Sequence, residues 1–116
     1  MFYTFIQNNS GGDFEYNASR GISVYVVVEC DSLKEAVELA GEIGIYFNGC
    51  DDGRDCDCCG DRWSEPWGKE DLDPVPSMYG YPIADAIPPD KIKWMKGYEG
   101  FIHYKDGLVK GFWDKT

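Results

Sequence analysis

The chain is expected to form an α+β domain: a small antiparallel sheet, one amphipathic helix packed on a face, and a long irregular loop rich in cysteine and proline. Three observations support this. Two aromatic and β-branched runs lie near the start, Met1–Gln7 (MFYTFIQ) and Ile22–Glu29 (ISVYVVVE). Such residues fit a pleated, half-buried surface. A capped helical pattern follows directly, and an Asp-Gly hairpin signal closes the chain.

The first run is a strand. Asn8–Asp13 (NNSGGD) is a turn cluster, so a long hairpin can return the chain into the second strand. Ile22–Glu29 alternates and then becomes continuously apolar, as a central strand does. Asp31–Gly44 is the helix. Ser32-Leu33-Lys34-Glu35 makes a capping box. Leu33, Ala36, Val37, Ala40 and Ile43 recur at helical spacing and form one apolar stripe. Gly44 suits the left-handed position that ends a helix. Gly41, about 1 kcal/mol poorer than Ala in a helix, points to close packing on the sheet. From Ser64 to Pro89 the chain carries six prolines and many acids, and is expected to be irregular. Ile92–Met95 reads as a short strand. Phe101–Tyr104 and Leu108–Trp113 flank Lys105-Asp106-Gly107 as a hairpin.

With 116 residues and 43% hydrophobic content, one domain over 1–116 with a real core is expected. No apolar run approaches membrane-spanning length. MFYTFIQNN lacks the basic start and cleavage site of a signal peptide, so a cytoplasmic protein is expected. Net charge is −10, with −6 concentrated between Asp51 and Asp73 and +3 between Lys91 and Thr116. Phosphate affinity comes from Lys and Arg, so direct nucleic-acid binding is disfavoured and a basic partner suits better. Solubility alone also accounts for an acidic surface.

The chemistry is concentrated in CDDGRDCDCCGDRW, residues 50–63, which holds four of the five cysteines. Cys50, Cys56, Cys58 and Cys59 could supply a tetrahedral zinc site. Their C-x5-C-x-C-C spacing departs from paired C-x2-C knuckles, and a reduced, metal-free loop competes with zinc. A disulfide fits a cytoplasmic protein poorly. The aspartates lack a calcium-loop pattern. His103 could replace a thiol, but an ordinary hydrogen-bonded strand residue is favoured, and Cys30 is expected in the core. Arg62, Trp63 and Trp67 in DRWSEPW, with Tyr79 and Tyr81 in SMYGYP, are the candidate partner-binding residues, because Trp, Tyr and Arg anchor interfaces and flat rings stack on nucleobases. Filling a small core is the competing role for these rings. No phosphate loop, nucleophile elbow or metalloprotease motif is present. A solvated acidic loop accounts for Glu65, Glu70 and Asp71. No catalytic residue is assigned, and an enzyme is not expected.

QNNSGG, the capped helix running into GIYFNGC, and DCDCCGDRW together resemble a family of small proteins encoded by tailed bacteriophages. The likeness spans Gln7–Trp63 and is most distinctive in D-C-x-C-C-G-D-R-W. It implies a viral protein acting in the cytoplasm of an infected bacterium, and it carries over no catalytic residues. The expectation is a small acidic accessory protein of host takeover. It would act by binding and would inhibit or sequester a component of anti-phage defence. Its partner would be a host protein or a small nucleotide-like ligand. The alternatives are a metal-supported structural or assembly protein, and a small enzyme using a loop thiol or carboxylate. Exposed edge strands would also accommodate a homo-oligomer.

Overall fold

Phe2–Ile6 (β1) and Tyr25–Glu29 (β2) form strands as their composition requires, and they pair antiparallel with Phe5 opposite Val26. In the computed structural model of the chain, residues 1–8, 14–17, 19–51, 53–55, 60–64, 66, 72–78, 81–83 and 99–112 are described, Met78 and Tyr81 by backbone alone. Ile92–Met95, Trp113 and most of the Asn8–Asp13 turn lie outside that set.

The helix α1 spans Leu33–Ile43. The Ser32 hydroxyl accepts from the Glu35 N–H at 3.1 Å. Glu35 reaches back one residue further than expected, to the N–H of Asp31 at 3.2 Å. Gly44, at φ 120°, donates to the Ala40 carbonyl and stops the helix. Ala36 and Ala40 are buried and Ile43 packs against the same core, together with Leu39, which the expected stripe omits, while Leu33 and Val37 are half-buried and stand outside it. Gly41 departs from expectation: it is exposed, and a Cβ there would meet nothing within 4 Å.

The expected irregular stretch contains a small ribbon, with Ser77–Met78 (β3) pairing antiparallel with Tyr81–Pro82 (β4). It lies beside the edge of β1. Phe2 and Asp73 exchange backbone hydrogen bonds of 2.7 and 2.8 Å, and the Thr4 hydroxyl donates to the Ser77 carbonyl. Part of the β1 edge is thereby covered. Gly100–His103 (β5) and Val109–Phe112 (β6) form the closing hairpin around Gly107, at φ 91°.

The main sheet has the order β1-β2-β5-β6. It is mixed, which corrects the antiparallel sheet expected from sequence: β2 and β5 run parallel, with Val28 opposite His103. A parallel neighbour needs a crossover, and α1 lies within the connection that supplies it. β2 is therefore central, and Val26, Val27 and Val28 are all fully buried. The sheet has a core on each face. Phe5, Ile22, Val26, Val28, Cys30, Ala36, Ala40, Ile45 and Trp63 fill the helix side. Phe2, Tyr25, Val27, Ile102 and Phe112 fill the other.

Candidate functional site

The base of the cysteine loop is built around one carboxylate. Asn48, at φ 58°, and the bonds from the Arg54 and Asp55 N–H groups to the Gly49 carbonyl turn the chain back on itself. This points the Asp55 side chain inward, where it is fully buried. Its Oδ1 accepts from the Tyr46 hydroxyl at 2.7 Å and its Oδ2 from the Arg62 N–H at 2.8 Å. The Arg62 Nε lies 3.8 Å from Oδ1, and its Nη1 donates to Gln7 Oε1 at 2.8 Å. Only glycine fits at position 49, because a Cβ there would lie 1.9 Å from Asp55 Oδ2. The Cys50 N–H donates to Asp61 Oδ1, and the Asn8 N–H donates to the Arg62 carbonyl. Burial, with the bond to Asp55 adding to it, raises the pKa of Tyr46 above the ordinary phenol value; the neighbouring Arg62 opposes the rise. The phenol therefore stays a proton donor at neutral pH. The guanidinium of Arg54 lies 5.0 Å from the Tyr46 ring centre.

Protein groups thus close the loop between Tyr46 and Trp63. Arg62 is engaged internally, and Trp63 is 1% exposed within the helix-side core. Neither presents a free face to a partner here. The Trp63 indole N–H has no hydrogen-bond partner among the described residues. Trp67, Tyr79 and the Tyr81 side chain, like Cys56, Cys58 and Cys59, lie outside the described residues. Cys50 is a half-buried thiol, and Cys30 is a fully buried one whose pKa is raised by burial. Among the described residues, no group of three or more His, Cys, Asp or Glu side chains could hold a metal ion. No helix among them is long and apolar enough to cross a membrane.

A second site was not anticipated from sequence. A cleft of about 490 Å³ opens between α1 and the β5–β6 end of the sheet. Val28, Leu39 and Ile43 give it an apolar lining, and Glu29, Glu35, Glu42, His103, Tyr104 and Lys105 supply polar groups. His103 lies on the helix side of the sheet because it is paired with Val28. Its Nε2 is 2.8 Å from the Gly21 carbonyl, as expected of an ordinary strand histidine. A carbonyl only accepts, so Nε2 carries the proton and Nδ1 is the acceptor. Gly21 permits this contact: it has φ 70°, and a Cβ there would lie 2.6 Å from the imidazole. The Lys105 ammonium lies 2.6 Å from Asp31 and 3.9 Å from Glu35. Its backbone N–H donates to Glu29. The bond to Lys105 lowers the pKa of Asp31 below the ordinary carboxylate value. Glu42 has no partner among the described residues. One sequence signal pointed here. The last turn of α1 carries Glu42 and no basic residue, an unfavourable charge at the negative end of a helix.

Burial holds the pKa of His103 below 6.5, outweighing the opposing effect of the Gly21 bond. The groups sharing its cleft are Glu35 and Glu42 from α1, Glu29 from β2 and Lys105 from the turn. A base whose folded pKa is depressed stabilises the fold fully above its unfolded pKa, and the contribution is lost as pH falls below it. Stability should therefore decline as pH drops below about 6.5, before the carboxylates titrate. His103→Gln should flatten that part of the profile in urea unfolding. An unchanged slope would place the titration elsewhere.

The fold and these two sites define a small mixed-sheet α+β protein, with a helix over one face, a loop closed by a buried carboxylate, and an acid-lined cleft. The chain belongs to the family described as a domain of unknown function, DUF7296, whose model matches residues 1–116. No curated protein and no solved structure matches it.

Proposed function

We propose that the protein is a small acidic accessory protein of bacteriophage type. It acts by binding in the host cytoplasm, where it inhibits or sequesters a component of anti-phage defence. The phage part of this reading rests on the resemblance carried by QNNSGG, GIYFNGC and DCDCCGDRW, and the observation that carries the binding part is the charge layout of α1. Asp31, Glu38 and Glu42 are exposed and Glu35 is half-buried, and the helix carries one lysine, Lys34. The three glutamates recur at spacings of three and four and so share a helical face. Such a face suits a basic protein surface and steers association. The internal engagement of Arg62 and Trp63 favours a protein partner over a stacked nucleotide. Zinc on Cys50, Cys56, Cys58 and Cys59 would belong to the same reading as a pin for the loop.

The test is plating of a defence-sensitive phage on a defended host that expresses the protein. Expression should raise plaque counts at least tenfold. The triple variant Glu35→Gln, Glu38→Gln, Glu42→Gln, at equal soluble level, should lose most of that gain. Unchanged plating with the native chain, or full activity of the triple variant, would overturn the reading.

A further inference from the structure

We propose that the cleft between α1 and the β5–β6 hairpin is a binding site for a small organic cation, an ammonium group carried on an apolar body. This goes beyond the host-protein reading and does not depend on it. Four observations converge. The volume, about 490 Å³, falls within the range of about 300–1,000 Å³ typical of small-ligand sites. Val28, Leu39 and Ile43 offer an apolar surface to the body of a ligand. The neutral His103 ring has its donor committed to Gly21, which leaves Nδ1 as an acceptor for an ammonium N–H.

The fourth observation is the division of the carboxylates. Glu35 and Glu29 are already used by Lys105 and by the helix cap. Glu42 also lines the cleft and has no partner among the described residues. The Lys105 ammonium is held mainly by Asp31, outside the cleft, at 2.6 Å, and reaches the cleft carboxylate of Glu35 at 3.9 Å, so Glu42 is left as the cleft carboxylate open to a second ammonium. Arg20 approaches the helix end at Gly44 but does not line the cleft. An anionic ligand would meet three glutamates and one neutralised lysine, so the electrostatics select against it.

The test is an NMR titration of the full chain with three probes of similar shape: 2-phenylethylamine, 2-phenylethanol and 3-phenylpropionate. The amine should give saturable shifts at the Val28, Leu39 and Ile43 methyls and at the His103 ring. The alcohol should bind about tenfold more weakly, and the acid should give no saturable shifts. Glu42→Gln should weaken the amine about fivefold and leave the alcohol unchanged. Glu38→Gln, on the same helix but outside the cleft, should change neither by more than twofold. Three results would overturn the proposal: no saturable shift with the amine, equal binding of amine and alcohol, or equal weakening by both glutamine variants. The phage-plating result bears on none of these outcomes, so the two readings fail separately.

Discussion

Trp63→Ala should destabilise the protein by about 4 kcal/mol, the cost of emptying a fully buried indole site. The ring sits among Phe5, Val26, Val28, Ala36, Ala40 and Ile45, where β1, β2, α1 and the end of the cysteine loop meet. Removing it leaves a cavity on the main core rather than a gap at the surface. Urea unfolding followed by far-ultraviolet circular dichroism measures the change without relying on the lost fluorophore. Trp63→Phe separates packing from polarity. It keeps most of the ring and removes a buried N–H that has no partner among the described residues. An unpaired buried donor costs about 1–3 kcal/mol, which offsets part of the lost volume, so Trp63→Phe should fall within about 1 kcal/mol of the native chain. Near-native stability of Trp63→Ala would show that the indole is not a core element.

Asp55→Asn should cost about 3 kcal/mol, because it removes a fully buried negative charge that lies 3.8 Å from the Arg62 guanidinium. Shape is conserved, so the loss is electrostatic and directional. The amide would set an NH₂ donor against the Arg62 N–H or the Tyr46 hydroxyl, both of which donate to the native carboxylate. Tyr46→Phe removes one neutral donor and should cost about 1 kcal/mol. The two changes share a partner, so the double variant should cost less than their sum. Hydrogen exchange at the Arg62 amide reads the effect locally. It should quicken in Asp55→Asn more than exchange at the central amides of β2. Equal acceleration at both would mean that the loop base and the sheet open as one unit.

These two residues show where sequence reasoning reached its limit. In DRW the sequence offers two roles, interface anchors for Arg62 and Trp63 or a ring that fills a small core, and the burial of Trp63 matches the second. Residue type does not distinguish an interface anchor from a core plug, since both exploit the same large ring and the same forked donor. Gln7 and Tyr46 complete the Asp55 cluster from positions 55 and 16 residues away from Arg62, and no spacing rule joins them. The cleft has no contiguous sequence signature for a similar reason. Its lining comes from β2, α1 and the β5–β6 hairpin, and Glu42 alone left a local trace.

Elements whose signals are local can be read from the sequence alone. The Ser32–Glu35 cap, the stripe through Ala36 and Ala40, the Gly44 stop and the Asp106-Gly107 turn each follow from interactions within a few residues. The burial of Cys30 and the central character of β2 also followed, because an unbroken apolar run requires cover on both faces. Tertiary structure decided the rest: the parallel pairing of β2 with β5, the ribbon beside β1, the exposure of Gly41, the burial of Asp55 and the placing of His103 beside α1. Each depends on which distant segments share a face. That choice is governed by the summed burial of whole elements, to which no short stretch of chain has access.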